Sequence, residues 1–511
     1  MRVRSIVPVL GAAVLLLSCS STSGTSSTSG TGATGTTVGP PKSSVKVGTT
    51  LASTTTVARP PGPAADLGTE ITGGNGVFLA DTGAKPEGYT EKEWIASGTA
   101  ASYTSAAPLP TDGRYQLQPG ATAPYRTRIA VRRPADASKF NGTVIVEWLN
   151  VSGGVDANPD YRFMADEIVR GGYAWVGVSA QAIGVEGGPV AVKVDIGGDL
   201  PGKGLKKIDP ARYGTLAHPG DAYAYDLYTQ VARALRSGSG LDGLQPERVL
   251  AVGESQSAFI LTTYADGVQP LTKAFDGFII HSRGGAAAPL GDGTKPIDIA
   301  SAIAGQPTIV RTDTDVPVLI IETETDLVSV IGYYPARQDD GDRIRLWEVA
   351  GTAHADRTLL GPNAGSVNCG VPINDGPQRF VVAAGLRAMD TWVRTGTAPP
   401  TAPRLEVEVE DGKPVLRRDA DGLALGGIRT PPVDVPVAAL TGEPGPDPTI
   451  ICLLLGSTRP FTEAQLARYP SRQAYLDAYT KAADASIAAG FVLAEDKATI
   501  VATAQPDLLP G

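Results

Sequence analysis

Histidine is scarce in this chain of 511 residues, which contains only His218, His281 and His354. Cysteine is equally rare, with three residues, and no histidine or cysteine has the spacing of a zinc site. The sequence also contains no phosphate-binding glycine loop and no dinucleotide fingerprint. We therefore expect neither a metal nor another cofactor, and a mechanism that requires an imidazole has three candidates.

Basic residues are not in excess either. The 44 lysines and arginines are outnumbered by 53 aspartates and glutamates, which gives a formal net charge of −9. Proteins that bind nucleic acids carry basic surfaces that contact phosphates, so the composition argues against a nucleic-acid partner. The hydrophobic share of 42% is ordinary for a globular protein.

Residues 1–18 predict an export signal. Two arginines within residues 1–4 precede an apolar run over residues 6–17, which is too short to anchor the chain across a bilayer. The run leads into Leu-Leu-Ser-Cys, ending at Cys19, which resembles a bacterial lipobox whose cysteine becomes lipidated after cleavage. We expect a protein anchored through Cys19 at the outer face of the bacterial cell membrane, or a secreted one if the signal is an ordinary secretory signal.

Residues 19–63 are dominated by serine, threonine, glycine and proline, a composition that predicts a flexible tether. Residues 64–511 then form the folded part, which contains the two remaining cysteines, Cys369 and Cys452. Export to an oxidising compartment favours a disulfide between them. Because the closed loop would be long, this bond would stabilise the fold by roughly 4 kcal/mol.

A serine follows a strand-like segment, residues 248–252, in the pattern Gly-Glu-Ser-Gln-Ser that begins at Gly253. The glycine lets the chain turn sharply from strand to helix, and the small residues after the turn let the helix lie against the strand. The turn exposes Ser255, whereas Ser257 would already lie in the helix. The pattern resembles the nucleophile elbow of the α/β-hydrolases, with serine in place of the last glycine. Ser255 is therefore the candidate nucleophile.

A candidate acid and a candidate base follow in the order that α/β-hydrolases use, serine, acid, histidine. Asp326 comes several residues after the apolar run 316–321 and is the favoured acid, with Glu324 as the alternative. His354 lies in a loop of small residues after the next strand-like run and is the favoured base. His281 is the main alternative base.

An oxyanion hole would complete this site, since it stabilises the tetrahedral intermediate. One donor is expected to be the backbone N–H of Gln256, at the N-terminal end of the helix after the elbow. The second is expected in the loop after the strand-like segment 143–148, at Asn150, Val151 or Ser152.

Two residues near a strand end are candidates for substrate binding. Arg283, two residues after His281, is suited to bind a carboxylate on a substrate, and His281 is suited to line the pocket. The alternatives are a salt bridge for Arg283 and a strand-end position inside the fold for His281.

Strand-like and helical segments alternate over residues 126–393, which predicts a mostly parallel sheet with helices on both faces. Segments 181–219 and 284–315 are possible lids, and a C-terminal extension begins at about residue 400. The predicted core strands are 129–131, 144–148, 174–178, 249–252, 278–281, 318–321 and 344–349. Helices are predicted at 221–236, 377–395, 462–469 and 471–489, and a turn is predicted at Gly412.

The chain resembles a bacterial α/β-hydrolase domain family of exported proteins over residues 74–496. The resemblance implies the α/β-hydrolase fold and a Ser-His-acid site with Ser255 as nucleophile and His354 as base. It rests on the segments VIVEWLNVSGG, HPGDAYAYDLYTQVARALR, RVLAVGESQSA, VPVLIIETETD, RLWEVAGTAHAD and GGIRTPPVDVP.

The leading functional prediction is a serine hydrolase that cleaves a small-molecule or lipid-like carboxylic ester through an acyl-enzyme on Ser255. An acyltransferase that uses the same three residues is an alternative, because only the acceptor of the acyl group differs. A surface protein that uses the fold for binding, without catalysis, is the alternative from another class.

Overall fold

The computed structural model describes residues 59–80, 85–193 and 199–509. The predicted signal peptide, Cys19 and the predicted tether up to residue 58 lie outside the described residues. No helix in the described ranges combines the length and the apolar character needed to cross a bilayer.

The main structural feature of these residues is a nine-stranded sheet. Its strands in chain order are β1 (Asp66–Ile71), β2 (Tyr89–Ser105), β3 (Leu117–Pro134), β4 (Thr143–Trp148), β5 (Ala174–Val178), β6 (Arg248–Glu254), β7 (Gly277–His281), β8 (Val318–Thr323) and β9 (Ile344–Val349). Their order in space is β1-β2-β3-β5-β4-β6-β7-β8-β9. The six strands β4 to β9 are mutually parallel, and β1 to β3 form an antiparallel edge. Loops that follow the parallel strands therefore meet at one end of the sheet.

Five helices of eight or more residues are described: α1 (Pro159–Gly171), α2 (Ala224–Arg236), α3 (Gln256–Thr263), α4 (Gln378–Thr395) and α5 (Arg472–Ala488). The shorter α-helical segments have four or five residues each. They are Ala182–Glu186, Gly204–Ile208, Pro210–Tyr213, Gln269–Thr272, Ile299–Ile303, Glu324–Val328, Arg357–Leu360, Pro431–Asp434, Ile450–Leu454, Glu463–Leu466 and Lys497–Val501.

Successive residues of the central strands contribute to two different cores because their side chains point to opposite faces of the sheet. In β6, Val249 and Ala251 belong to the core beneath α2 and α3, whereas Leu250 and Val252 belong to the core beneath α1 and α4. All six residues of β4 and of β8 are buried. The continuous apolar runs of these strands follow from burial on both faces.

The strand and helix predictions agree closely with this architecture. All seven predicted core strands lie within strands of the sheet. The predicted helix 221–236 is α2 preceded by a single 3-10 turn, Asp221–Tyr223. The predicted helix 462–469 is confined to Glu463–Leu466, since the residue before a proline, here Pro470, avoids the helical conformation.

The C-terminal extension adds two small antiparallel pairs to the core. The hairpin turn at Asp411 and Gly412 has φ values of 49° and 76°, as a two-residue turn requires, and matches the turn predicted at Gly412. Ile428 N–H donates to the carbonyl oxygen of Glu348 in β9 at 2.7 Å, which joins the extension to the sheet. The pairs are β10 (Val407–Glu410) with β11 (Lys413–Leu416), and β12 (Ala438–Thr441) with β13 (Ser457–Pro460).

Cys369 and Cys452 form a disulfide, with their Cα atoms 5.4 Å apart. Both residues are buried in a small apolar cluster with Leu360, Ile373 and Leu455. The bond fastens the helix Ile450–Leu454 of the extension to the chain that follows His354.

Replacing both cysteines by alanine is expected to lower the free energy of unfolding by about 4 to 5 kcal/mol, because the bond closes a long loop in the unfolded chain. The two cysteines are separated by 83 positions. Denaturant titrations of the wild type and the double variant measure the difference, and a reductant is expected to destabilise only the wild type. Equal unfolding midpoints without reductant would contradict this expectation.

Candidate active site

Ser255 lies at a tight turn between β6 and α3. Its backbone has φ 59° and ψ −122°, a conformation that residues with a side chain rarely adopt. Glycine is required at Gly253, because a Cβ atom there would lie 2.9 Å from both Cβ of Ser257 and Cδ1 of Leu261. Ser255 N–H donates to the carbonyl oxygen of His281 at 3.0 Å. The sharp strand-to-helix turn expected from the sequence is therefore present and leaves Ser255 partly exposed.

Ser255, His354 and Asp326 form one hydrogen-bonded chain. Ser255 Oγ lies 2.8 Å from His354 Nε2, and His354 Nδ1 lies 2.6 Å from Asp326 Oδ1. Nδ1–H donates to the carboxylate, so Nε2 carries the lone pair and accepts the hydroxyl hydrogen of Ser255. The chain is assembled from the loops after β6, β8 and β9, at the end of the sheet where parallel strands place their functional loops.

Asp326 is held in orientation through its second oxygen. Oδ2 accepts hydrogen bonds from the N–H and the Oγ–H of Thr323, each at 2.7 Å. Burial acts to raise the pKa of Asp326, but the charge and hydrogen bond of His354 and the Thr323 bonds lower it below its ordinary value. Asp326 is therefore a carboxylate at neutral pH and can stabilise an imidazolium.

Glu324, the alternative acid, is directed to a different part of the molecule. Its Oε1 accepts from Gly351 N–H at 2.6 Å, and its Oε2 accepts from Gly442 N–H at 3.0 Å. Arg418 Nη2 also donates to Oε2, at 2.9 Å. Glu324 thus joins the loop that carries His354 to the C-terminal extension, and the geometry favours Asp326 as the partner of His354.

The loop after β4 is tied to the elbow by side-chain hydrogen bonds. Val151 N–H, the predicted second oxyanion donor, donates to Gln256 Oε1 at 3.1 Å. Ser152 N–H donates to Asn150 Oδ1 at 2.8 Å, and Asn150 Nδ2 donates to the carbonyl oxygen of Glu254 at 3.2 Å. Val151 can act as an oxyanion donor only if a substrate oxygen displaces the Gln256 side chain, whereas Gln256 N–H lies directly beside Ser255.

A cavity of about 330 Å³ opens onto Ser255 and His354, within the size range of small-molecule sites. Among the described lining residues, Glu254 is the sole carboxylate, and none is a lysine or arginine. The walls are otherwise mostly apolar and come from six separate stretches of chain. The larger apolar residues are Phe78, Leu79, Val155, Pro159, Val192, Leu200, Leu359, Leu360, Ile451 and Leu454.

The composition of these walls differs in part from what the sequence predicted. The predicted lid 181–219 contributes Val192, Leu200 and Pro201, but none of the described lining residues comes from 284–315. The contributions of the segment near Phe78 and of the helix Ile450–Leu454 were not anticipated, because only the tertiary fold brings chain so distant from Ser255 to the site.

The other two histidines are enclosed in the protein and do not line the cavity. His281 Nδ1 lies 2.9 Å from Asp160 Oδ1, and the amide of Gln378 donates to its Nε2 at 2.9 Å. His218 Nε2 lies 2.9 Å from the carbonyl oxygen of Ala180. Neither ring is hydrogen-bonded to Ser255, and in the described ranges no three His, Cys, Asp or Glu side chains are grouped as metal ligands.

Arg283, a predicted substrate-binding residue, is fully buried and absent from the cavity walls. Its Nη2 donates to the carbonyl oxygen of Thr308 at 2.5 Å, and its Nε donates to that of Gly284 at 3.0 Å. The guanidinium lies over the ring of Tyr333. Arg283 therefore fixes loop backbone inside the fold, and the substrate roles predicted for Arg283 and His281 find no geometric support.

Asp356, two residues after His354, is a buried carboxyl group with an unusual pKa. Its Oδ1 accepts from Leu359 N–H at 2.9 Å, but its Oδ2 has no hydrogen-bond partner among the described residues. Burial raises the pKa of Asp356 to about 7. In the unfolded chain the pKa would be about 3.9, so the native state binds an extra proton between these values and loses stability as the pH rises through them.

The variant Asp356→Asn keeps an acceptor for Leu359 but cannot ionise. Between about pH 5 and about pH 8 we expect this carboxyl group to lower the wild type's free energy of unfolding by about 3 kcal/mol. The variant is expected to lack this pH-dependent fall in its free energy of unfolding. Urea titrations of both proteins at the two pH values measure it, and an equal decline in the variant would contradict the assignment.

Comparison with known families agrees with this architecture. The family model described as "Alpha/beta hydrolase domain" matches residues 57–502. The chain belongs to the alpha/beta hydrolase domain family. The predicted α/β-hydrolase fold is therefore confirmed, with a mostly parallel sheet flanked by helices. No curated protein matches the chain at a significant level.

Several solved structures are similar to parts of the chain. One of two fungal esterases from Rhizomucor miehei shares 12% identity over 60% of this chain and 85% of its own, with a TM-score of 0.32. XC6422 from Xanthomonas campestris, described as an a/b serine hydrolase without lid, shares 12% identity over 57% and 94%, with a TM-score of 0.28. Esterase Est22 shares 13% identity over 58% and 79%, with a TM-score of 0.32. Similarities this low carry no argument about substrate or mechanism.

Proposed function

We propose that this protein is a serine hydrolase that cleaves carboxylic esters through an acyl-enzyme on Ser255. The observation that carries the proposal is the hydrogen-bonded chain from Ser255 through His354 to Asp326 at the edge of a largely apolar cavity. A serine hydroxyl becomes nucleophilic when a neighbouring imidazole accepts its proton. A carboxylate on the other ring nitrogen then stabilises the imidazolium.

In the first half-reaction, Ser255 Oγ attacks the ester carbonyl carbon and its proton passes to His354 Nε2. The negative oxygen of the tetrahedral intermediate accepts a hydrogen bond from Gln256 N–H, at the positive end of α3. The intermediate then collapses, the bond to the alcohol oxygen breaks, and Nε2–H protonates the leaving alcohol. The acyl group remains on Ser255 until a water molecule hydrolyses it.

The cavity favours an ester with apolar groups and without negative charge. Its walls are mostly aliphatic, and its single described carboxylate, Glu254, would repel an anionic substrate near the reacting atoms. A small neutral ester, or the end of a lipid-like one, has the required chemistry.

The test is turnover of a series of 4-nitrophenyl esters of increasing acyl length, with Ser255→Ala as the matched control. We expect the wild type to release 4-nitrophenol, with a preference among acyl lengths set by the cavity. Release no faster than that of the Ser255→Ala protein with every ester would contradict the proposal.

For the location of the protein, we propose export and anchoring through a lipid on Cys19. The apolar run of residues 6–17 followed by a cysteine supports this proposal. In a bacterial host, the wild type is expected in the membrane fraction and the Cys19→Ala variant outside it. Equal membrane association of both proteins would contradict lipidation at this residue.

A further inference from the structure

Glu254 is a carboxylate placed beside the reacting atoms, in addition to Ser255, His354 and Asp326. It is the last residue of β6, directly before Ser255, and its Oε1 lies 3.6 Å from His354 Nε2. Its side chain is only 3% exposed and lines the cavity. The hydrogen bond from Asn150 Nδ2 to the Glu254 carbonyl oxygen fixes the backbone at this point.

His354 thus lies between two carboxylates that face different ring nitrogens. Asp326 holds Nδ1 at 2.6 Å, whereas Glu254 faces Nε2, the nitrogen that exchanges protons during the reaction. A separation of 3.6 Å is too long for a hydrogen bond, and Nε2 is already engaged by Ser255 at 2.8 Å. In the free protein the Glu254 carboxylate therefore borders the space next to Nε2 at ion-pair distance, beyond the reach of a direct hydrogen bond.

The acyl-enzyme changes the partners of Nε2. Once Ser255 Oγ is bonded to the acyl group, it has no hydrogen left to donate to Nε2. The next donor must enter from the cavity, and any molecule that binds Nε2 there also lies beside the Glu254 carboxylate. A water molecule has two hydrogens, so it can donate one to Nε2 and the other to Glu254.

We propose that Glu254 binds and orients the water molecule that hydrolyses the acyl-enzyme, and so favours hydrolysis over transfer of the acyl group to an alcohol. An alcohol has a single hydroxyl hydrogen, so it cannot donate to Nε2 and Glu254 together. The inference rests on the proposed acyl-enzyme and addresses the choice between hydrolase and acyltransferase that the sequence leaves open.

The step is balanced without another reactant. The water oxygen attacks the acyl carbon, and the hydrogen directed at His354 passes to Nε2 while the other stays bonded to the oxygen beside Glu254. The tetrahedral intermediate collapses, the bond between the acyl carbon and Ser255 Oγ breaks, and the Nε2 proton returns to Oγ. The carboxylic acid leaves and the free protein is restored.

The test compares wild type, Glu254→Met and Glu254→Gln in pre-steady-state turnover of 4-nitrophenyl butyrate, with and without methanol. Methionine keeps the length of the side chain but removes the acceptor, and glutamine keeps a neutral acceptor. For Glu254→Met we expect hydrolysis of the acyl-enzyme to slow by at least about tenfold relative to acylation. The reason is that a water molecule that is not held in position attacks the acyl carbon more slowly. The ratio of methyl butyrate to butyric acid is expected to rise by a similar factor, with Glu254→Gln intermediate.

Glu322→Gln is the matched control, because Glu322 is also a buried carboxyl group at a strand end but does not line the cavity. Its product ratio is expected to equal that of the wild type. A product ratio in Glu254→Met within twofold of the wild-type ratio would overturn the inference. Equal slowing of acylation and of acyl-enzyme hydrolysis would also overturn it, because both steps form the imidazolium. Absence of turnover in the wild type would instead contradict the proposed function itself.

Discussion

The His354→Ala variant is expected to hydrolyse esters with a kcat lower than that of the wild type by about 10⁴- to 10⁶-fold, as in other serine hydrolases that lose the base. His354 Nε2 is the acceptor within 2.8 Å of Ser255 Oγ, so its removal leaves the hydroxyl without a base. Because the two residues act together, Ser255→Ala and the double variant are expected to lose nearly the same factor. The kcat of all three variants is measured by steady-state turnover of a 4-nitrophenyl ester.

His281→Asn is the control for this result, since His281 was the alternative base in the sequence but bonds Asp160 and Gln378 inside the protein. This variant is expected to lose thermal stability while its kcat stays within about tenfold of the wild type, because the ring does not contact the reacting atoms. A loss of turnover confined to His281→Asn, with full activity in His354→Ala, would contradict the assignment of the base.

The Asp326→Asn variant is expected to lower kcat by about 10⁴-fold with little change in structure. An amide at this position donates to Nδ1 instead of accepting from it, so the ring takes the wrong tautomer and Nε2 carries a hydrogen.

The expected pH profile of the wild type follows from the lowered pKa of Asp326. Its carboxylate stays ionised through the neutral range and is protonated only in acid. Between mildly acidic and neutral pH, protonation of Asp326 is therefore not expected to change the turnover rate.

Glu324→Gln tests the alternative acid under the same conditions. Its carboxylate accepts hydrogen bonds from Gly351, Gly442 and Arg418, so the variant is expected to unfold at a lower temperature. Its kcat is expected to fall by less than about tenfold, because the bond between Asp326 and His354 is retained. A larger loss of kcat in Glu324→Gln than in Asp326→Asn would reverse the assignment of the acid.

The central strands and the residues of the hydrogen-bonded chain were predictable because local patterns specify them. A buried parallel strand is a short apolar run, and the elbow needs small residues two positions before and after the serine, as Gly253 and Ser257 show. Ser255, Asp326 and His354 each follow such a run, and parallel pairing brings their loops to one end of the sheet. Periodicity and chain order therefore sufficed for this part of the site.

The sequence favoured Asp326 over Glu324 only through its distance from the preceding strand, whereas the role of each carboxylate depends on which partners the fold supplies. Glu324 is two residues from Asp326, yet its hydrogen-bond partners Arg418 and Gly442 lie about a hundred positions further along the chain. Arg283 was expected at the substrate, but the carbonyl oxygens that hold it belong to loop backbone whose path the sequence does not reveal.

The position of Glu254 in the sequence carries one local signal of a role at the site. A charged residue directly before the nucleophile, at the buried end of a central strand, is costly unless it faces a partner or a cavity. The apolar walls near Phe78 and Leu454 have no comparable signal, since aliphatic residues in loops are common.

The most direct test of the central claim is labelling of the purified protein with a fluorophosphonate, followed by mass spectrometry of the modified peptide. We expect a single adduct on Ser255 that is absent from the His354→Ala protein, because the phosphonate reacts only with an activated serine. Folding of both proteins is checked by their thermal unfolding. An adduct on another serine, or none on the folded wild type, would contradict the claim that Ser255 is an activated nucleophile.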